Sequence, residues 1–303
     1  MISPVFVGRR RETDCLTGAL RAAEAGRTTA VVVAGESGIG KTRLLSHFAG
    51  VAAEQQATVL AGQCIQLQDA CPPYWPFVDA FRRLLGRLDP GRVDDLVGPF
   101  RDEVAPLLPG GRSNGELLRR HRSRAEFFDL VLGVAERLAA HSTVVLIIED
   151  LHWADRSTRD LLGFLLANTI EDRILVVASY RTDGLTSGHA LLNLLAELRR
   201  RRVEFLELAP LDHDELAELV QGILGAEPDP GLIAAICSRS DGNPFFAEEL
   251  LAAARHGRSV GLTPTVRHIL QARVATLSLP ARRVAGVVAT ATGPVGHALL
   301  EAV

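Results

Sequence analysis

AVVVAGESGIGKT, Ala30 to Thr42, decides the fold of this chain. Apolar residues run without a break into Gly35, and from there the spacing is GxxxxGKT: Gly35, Glu36, Ser37, Gly38, Ile39, Gly40, Lys41, Thr42. A short apolar run bounded by glycine reads as a buried strand, and TRLLSHFAGVAAE behind it carries apolar residues at helical spacing. Strand, glycine-rich loop and helix together form the context in which this spacing is a phosphate-binding loop. Gly35, Gly38 and Gly40 are expected to take positive φ and wrap the backbone round an anion, with successive N–H groups aimed at phosphate. The helix adds the positive end of its dipole. Lys41 is expected between the β- and γ-phosphates and Thr42 on Mg²⁺, with Glu36, Ser37, Ile39 and Arg43 completing the lining.

Lys41 is also the sole lysine among 303 residues; every other cation of the 33 Lys and Arg is arginine. A planar fork of five donors does not replace a compact ammonium wedged between two phosphates, so the exception falls where arginine would not serve.

The remaining composition is that of an ordinary globular chain: 47% apolar, 23% charged, net charge −3. No global field draws it to nucleic acid or an acidic membrane. The run Arg199 to Arg202 reads as a solvated loop. Cys15, Cys64, Cys71 and Cys237 form no CxxC pair and no metal spacing with histidine, so free thiols in a reducing compartment are expected. No apolar run is long enough to span a bilayer, and MISPVFVGRRRE lacks a signal-peptide core; the expected location is cytoplasmic, without membrane contact.

Five apolar runs alternate with helical stretches: Ala30–Ala34, Thr58–Cys64, Thr143–Ile148, Arg173–Ser179 and Val203–Leu208. That alternation predicts an α/β fold with a five-stranded parallel sheet covered on both faces. The second crossover holds CPPYWPF, an amphipathic stretch from Val78 to Leu88 and a helix from Leu117 to Ala140, a helical insertion at about residues 65–140. After the fifth strand only helices follow. Asp212 with Glu215 forms a capping box, and further helices are expected over Asp229–Ser238, Pro244–Arg255, Pro264–Thr276 and Pro280–Thr290. The final segment, Gly296 to Val303, stops before completing a unit, as expected of a fragment of a longer protein.

VVLIIED places Glu149 and Asp150 at the carboxyl end of a buried strand, where open α/β sheets bind ligands. Glu149 is assigned to the Mg²⁺ side, through water, and Asp150 to the attacking water. Asp155, in LHWAD before a helical stretch, reads either as an N-cap or as a catalytic acid, and His152 and Trp153 as packing beside the strand end. Arg181 ends the next strand in VVASYR, beside the expected γ-phosphate, and reads as its sensor.

Taken together, FVGRRRE, GESGIGKT, LIIEDLHWAD, ASYR, LAPL and GNPFF resemble, in order, the STAND class of AAA+ ATPases over about residues 5 to 250, most nearly the N-terminal module of large ATP-binding LuxR-type regulators. The resemblance implies that Val7, Gly8 and Arg9 lie on the adenine side and that Pro244 closes over the base. It implies a P-loop NTPase core at 1–210, a helical lid at 211–258 and an incomplete winged-helix-like domain at 259–303. It further implies ATP or ADP with Mg²⁺, slow hydrolysis in a switch, an inducer or partner protein, nucleotide-dependent self-association, and DNA contact only through domains absent from these residues. The same module occurs in cyclase and kinase chains. A nucleotide-locked interaction scaffold and an AAA+ motor therefore stay as alternatives, although the lid shows no second arginine like that of the motors.

Overall fold

The computed structural model describes residues 5–65, 73–87, 89, 91, 93, 124–169, 171–185, 188–201, 203–255, 267, 271, 274, 275 and 277–290. By their contacts the residues divide into a larger unit, Phe6–Pro210, and a smaller one, Leu211–Val303 with Met1–Val5.

In the larger unit α1 (Arg10–Glu24) leads to β1 (Thr29–Gly35), α2 (Lys41–Glu54), β2 (Thr58–Gln63) and α3 (Trp75–Leu85). Then come α4 (Arg124–His141), β3 (Val144–Glu149), a 3₁₀ turn (Leu151–Trp153), α5 (Arg156–Asn168), β4 (Ile174–Arg181), α6 (Leu191–Arg200) and β5 (Glu204–Glu207). All described strand pairs are parallel, in the order β2-β3-β4-β1-β5. The α/β expectation holds, with each strand run shifted by a residue or two at its ends. The insertion expected at 65–140 is described only at its edges, as α3 and α4, and the helix expected from Leu117 begins in the described residues at Arg124.

Period-two side-chain direction divides the core. Val31, Val33, Val145, Ile147, Leu175 and Val177 face α1 and α2, packing on Leu16, Leu20, Leu44, Leu45 and Phe48. Val32, Leu60, Leu146, Ile148, Val176 and Ala178 face the other way, onto α3, α4, α5 and α6 through Phe77, Phe81, Val131, Leu161, Leu162 and Leu195. Each Val, Leu, Ile or Phe among them contributes about 1.5–3 kcal/mol on burial, which is why these strands are apolar throughout. Gly62 lets β2 and α3 touch: a Cβ there would stand 1.9 Å from the Pro76 carbonyl oxygen.

The topology also fixes where a ligand goes. α2, leaving β1, and α6, leaving β4, lie on opposite faces although their strands are neighbours. A crevice opens at the carboxyl ends of such a strand pair.

Arg199, Arg200 and Arg201 are exposed, as expected of a solvated run, but the expected loop is corrected to the end of a helix. Arg199 and Arg200 close α6, Arg199 stacks on Phe205 at 4.6 Å, and Arg201 pairs with Glu197 at 3.1 Å. Helix continuation wins because these arginines find partners on the helix and on β5; Arg202 lies outside the described residues.

The smaller unit holds α7 (His213–Leu224), α8 (Pro230–Ser240), α9 (Pro244–Arg255) and α10 (Leu279–Thr290). Asp212 accepts from the Glu215 N–H at 2.8 Å while Glu215 accepts from the Asp212 N–H at 3.0 Å, completing the capping box. The helix expected at Pro264–Thr276 and the Gly296–Val303 segment lie outside the described residues, apart from isolated positions of the former. Cys15 and Cys237 are free thiols and Cys64 is buried; Cys71 is outside the described set. Among the described residues no helix is long and apolar enough to cross a membrane.

Candidate functional site

β1 delivers Gly35 to the crevice and α2 begins at Lys41, so the loop between them sits at the helix N-terminus with its amides gathered there. Gly38 and Gly40 have φ of 82° and 103°, a region that side chains avoid. Gly35 departs from expectation, since its φ is not positive; a Cβ there would lie 2.9 Å from Ile39 Cγ2 and 3.3 Å from Leu208 Cβ, so close approach is what requires glycine.

The Lys41 side chain is 7% exposed, and its Nζ donates to the Gly35 carbonyl at 2.7 Å and the Glu36 carbonyl at 2.6 Å. Burial lowers its pKa to about 8; the Arg181 guanidinium adds to that, while the carboxylates of Asp150, Asp183 and Glu149 oppose it. At pH 7 the ammonium is still mainly protonated. Thr42 is exposed at the mouth of the loop, and half-buried Arg43 follows in the first turn of α2.

Glu149 ends β3. Burial raises its pKa, the Thr42 hydroxyl opposes that by hydrogen-bonding to the carboxylate, and the neighbouring Asp150 raises it further. Its Oε2 is buried with no hydrogen-bond partner among the described residues. Asp150, the next residue, has φ 58°, which swings its carboxylate out of the strand. Oδ2 accepts from Gln63 Nε2 at 3.0 Å, Oδ1 lies 3.9 Å from Arg181 Nε, and the Asp150 N–H donates to Ser179 Oγ at 3.2 Å. The ends of three adjacent strands thus converge on Asp150.

Arg181 closes β4, and its backbone N–H donates to His152 Nδ1 at 3.4 Å. That places the imidazole proton on Nε2, which is buried without a partner among the described residues. Burial pushes the His152 pKa down to about 4, so the ring is neutral at pH 7 and links the two strand ends as an acceptor. The Trp153 ring lies 4.9 Å away. Asp155 accepts from the N–H groups of Ser157 at 2.8 Å and Thr158 at 3.3 Å, the N-cap of α5.

On the other side, Gly8 and Arg9 have φ of 62° and 58°, and Val7 is buried. Arg9 Nη2 donates to the Ile39 carbonyl at 3.0 Å and Nη1 reaches Glu12 at 3.5 Å, so this side chain braces the phosphate loop from outside. Phe6 stacks on His47 of α2 at 4.1 Å. Pro244 is buried at the start of α9, in the smaller unit.

Sequence reasoning missed Gln63, Ser179, Asp183 and the bracing role of Arg9. Gln63 had a signal, a polar residue closing an apolar strand, and its register partner is Glu149.

The residues present fit a hydrated Mg²⁺ shared with phosphate: an exposed hydroxyl, a carboxylate bonded to it, and an orphaned carboxylate oxygen. Among the described residues no group of three or more His, Cys, Asp or Glu is disposed to hold a metal unaided, and a phosphate-shared ion does not need one.

The family profile of the AAA ATPase domain matches residues 5–177. An uncharacterized protein of Rhizobium meliloti (strain 1021) is 24% identical over 276 residues, covering 81% of this chain and 24% of its own, so the chain spans about a quarter of that relative. Among solved structures, the ORC2 protein of Aeropyrum pernix in ADPNP–ADP complexes superposes with a TM-score of 0.59 at 16% identity, covering all of this chain (100%) and 80% of its own. A signal transduction ATPase with numerous domains (STAND) carrying a tetratricopeptide repeat sensor, from Pyrococcus horikoshii, gives a TM-score of 0.43 at 17% identity, covering 99% of this chain and 37% of its own. The ORC2 likeness speaks to the fold. The profile match takes in more than half of the chain, including the phosphate loop and the Glu149–Asp150 pair, and this chain belongs to the AAA ATPase domain family.

Proposed function

We propose that this chain is an ATP-binding, slowly hydrolysing molecular switch that forms the N-terminal regulatory module of a larger, LuxR-type transcriptional regulator. The observation that carries the reading is the gathering of Thr42, Glu149, Asp150 and Arg181 round Lys41 at the carboxyl ends of β1, β3 and β4. Glu149 lies against Thr42, which supports its assignment to the metal side. Asp150 is partly exposed and held by Gln63, which supports its role as the acceptor that orients the attacking water. Bound Mg²⁺, held by Thr42 and Glu149, would neutralise charge on the β- and γ-phosphate oxygens. Arg181 stands beside Asp150, which supports its reading as the sensor of the terminal phosphate. Val7, Gly8 and Arg9 are assigned to the adenine side, Arg9 acting through the loop it braces. Self-association, an inducer or partner protein, and DNA contact through other domains belong to the same reading.

Phosphate release from ATP by the purified chain tests it, with Lys41→Ala and Asp150→Asn alongside and any co-purified nucleotide identified. Slow release abolished by both variants is the expected result. Tight nucleotide retention without release would replace the switch by a nucleotide-locked scaffold, and fast cooperative turnover in a ring would replace it by a motor.

A further inference from the structure

Two hydrogen bonds tie the segment after β4 to the phosphate loop. The Thr182 N–H donates to the Gly35 carbonyl at 3.2 Å, and the Ser37 N–H donates to Asp183 Oδ1 at 2.9 Å. The second joins residues 146 apart in sequence and puts a side-chain carboxylate on an amide of the loop whose amides are disposed to hold anions. Asp183 is also one of the charges that bear on Lys41, together with Arg181, Asp150 and Glu149. Gly184, with φ 89°, turns the chain immediately afterwards.

We propose that Asp183 determines the preference of this site between nucleoside diphosphate and triphosphate. The inference rests on the reading of the loop as a nucleotide site with Lys41 at the β- and γ-phosphates. A fixed carboxylate at that end of the loop repels the terminal phosphate of a triphosphate and competes with it for loop amides, while a diphosphate ends short of it. Arg181, two residues earlier, supplies the opposing attraction. The Arg181–Asp183 pair therefore makes the triphosphate displace one anion to gain one cation. Diphosphate leaves the Ser37–Asp183 bond in place, and triphosphate breaks it.

The test is equilibrium binding of fluorescent ADP and of a fluorescent β,γ-imido analogue of ATP, each with Mg²⁺, to the wild-type chain, Asp183→Asn and Asp183→Ala. Asparagine keeps an acceptor for the Ser37 N–H and removes the charge; alanine removes both. The expected result is that both variants bind the triphosphate analogue about tenfold more tightly, about 1.4 kcal/mol, and ADP within about twofold of wild type. Equal changes for the two nucleotides, or an unchanged triphosphate affinity in Asp183→Asn, would overturn the proposal and leave Asp183 a loop staple. Wild-type protein that binds neither nucleotide would overturn the reading of the loop itself, and this inference with it.

Discussion

Lys41→Arg conserves charge and should nonetheless disable the site. Two carbonyls converge on one nitrogen in the present structure, Gly35 at 2.7 Å and Glu36 at 2.6 Å, around a side chain 7% exposed. A guanidinium spreads its donors over a plane and cannot occupy that single point. It must either splay the loop, whose backbone is fixed by Gly38 and Gly40, or turn outward. Each charge-assisted hydrogen bond to phosphate contributes about 1.5–3 kcal/mol, so losing two costs about 3–4 kcal/mol after partial compensation by the displaced charge. That corresponds to a roughly 200- to 1,000-fold weaker ADP complex. Titration calorimetry with ADP measures it, with urea unfolding of the same samples to establish that the variant is folded. A folded Lys41→Arg that binds ADP within fivefold of wild type, while Lys41→Ala does not bind, would refute the steric reasoning and leave charge as the requirement.

Free Lys41 titrates near pH 8 and a bound phosphate raises its pKa, so the complex holds more protons than its parts above pH 8. Nucleotide affinity should therefore fall as pH rises from 8 to 9.5, by up to tenfold per pH unit, in dissociation constants measured across that range; a flat profile would contradict it. Gly62→Ala sets a methyl 1.9 Å from the Pro76 carbonyl oxygen and should cost about 2–4 kcal/mol of stability by urea unfolding, because backbone rather than a flexible side chain must move. Asp155→Ala removes the N-cap of α5 and should cost about 1–2 kcal/mol of stability with little change in phosphate release. A large loss of turnover in a normally stable Asp155→Ala would assign that residue to the chemistry.

Period and motif carried the sequence a long way. Unbroken apolar runs marked strands buried on both faces, and GxxxxGKT behind the first of them marked the loop, because both signals are local. Asp150 and Arg181 were legible for the same reason, each closing an apolar run. Ser179 and Asp183 were not, since nothing near them in sequence marks them, and Gln63 carried only the weak mark of a polar residue closing an apolar strand. They meet Asp150 and the loop only because the sheet is ordered β2-β3-β4-β1, and that order is a tertiary fact. The bracing contact of Arg9 was hidden in the same way: its guanidinium turns to the carbonyl of Ile39, thirty positions on. The arginine run at 199–202 was legible as solvated but not as the end of a helix, because an exposed charge is compatible with either backbone and the Phe205 ring on which Arg199 stacks belongs to the following strand.

The loneliness of Lys41 has a practical side. The α-amine apart, the chain offers an acylating reagent a single aliphatic amine, and that amine titrates near pH 8, within the working range of common esters. Two loop carbonyls and close packing shield it, so modification must wait for the loop to loosen. Beyond the increment from the α-amine, the further mass gained by the intact protein over time is then a clock for opening of the phosphate loop, readable without isotope, crystal or engineered probe.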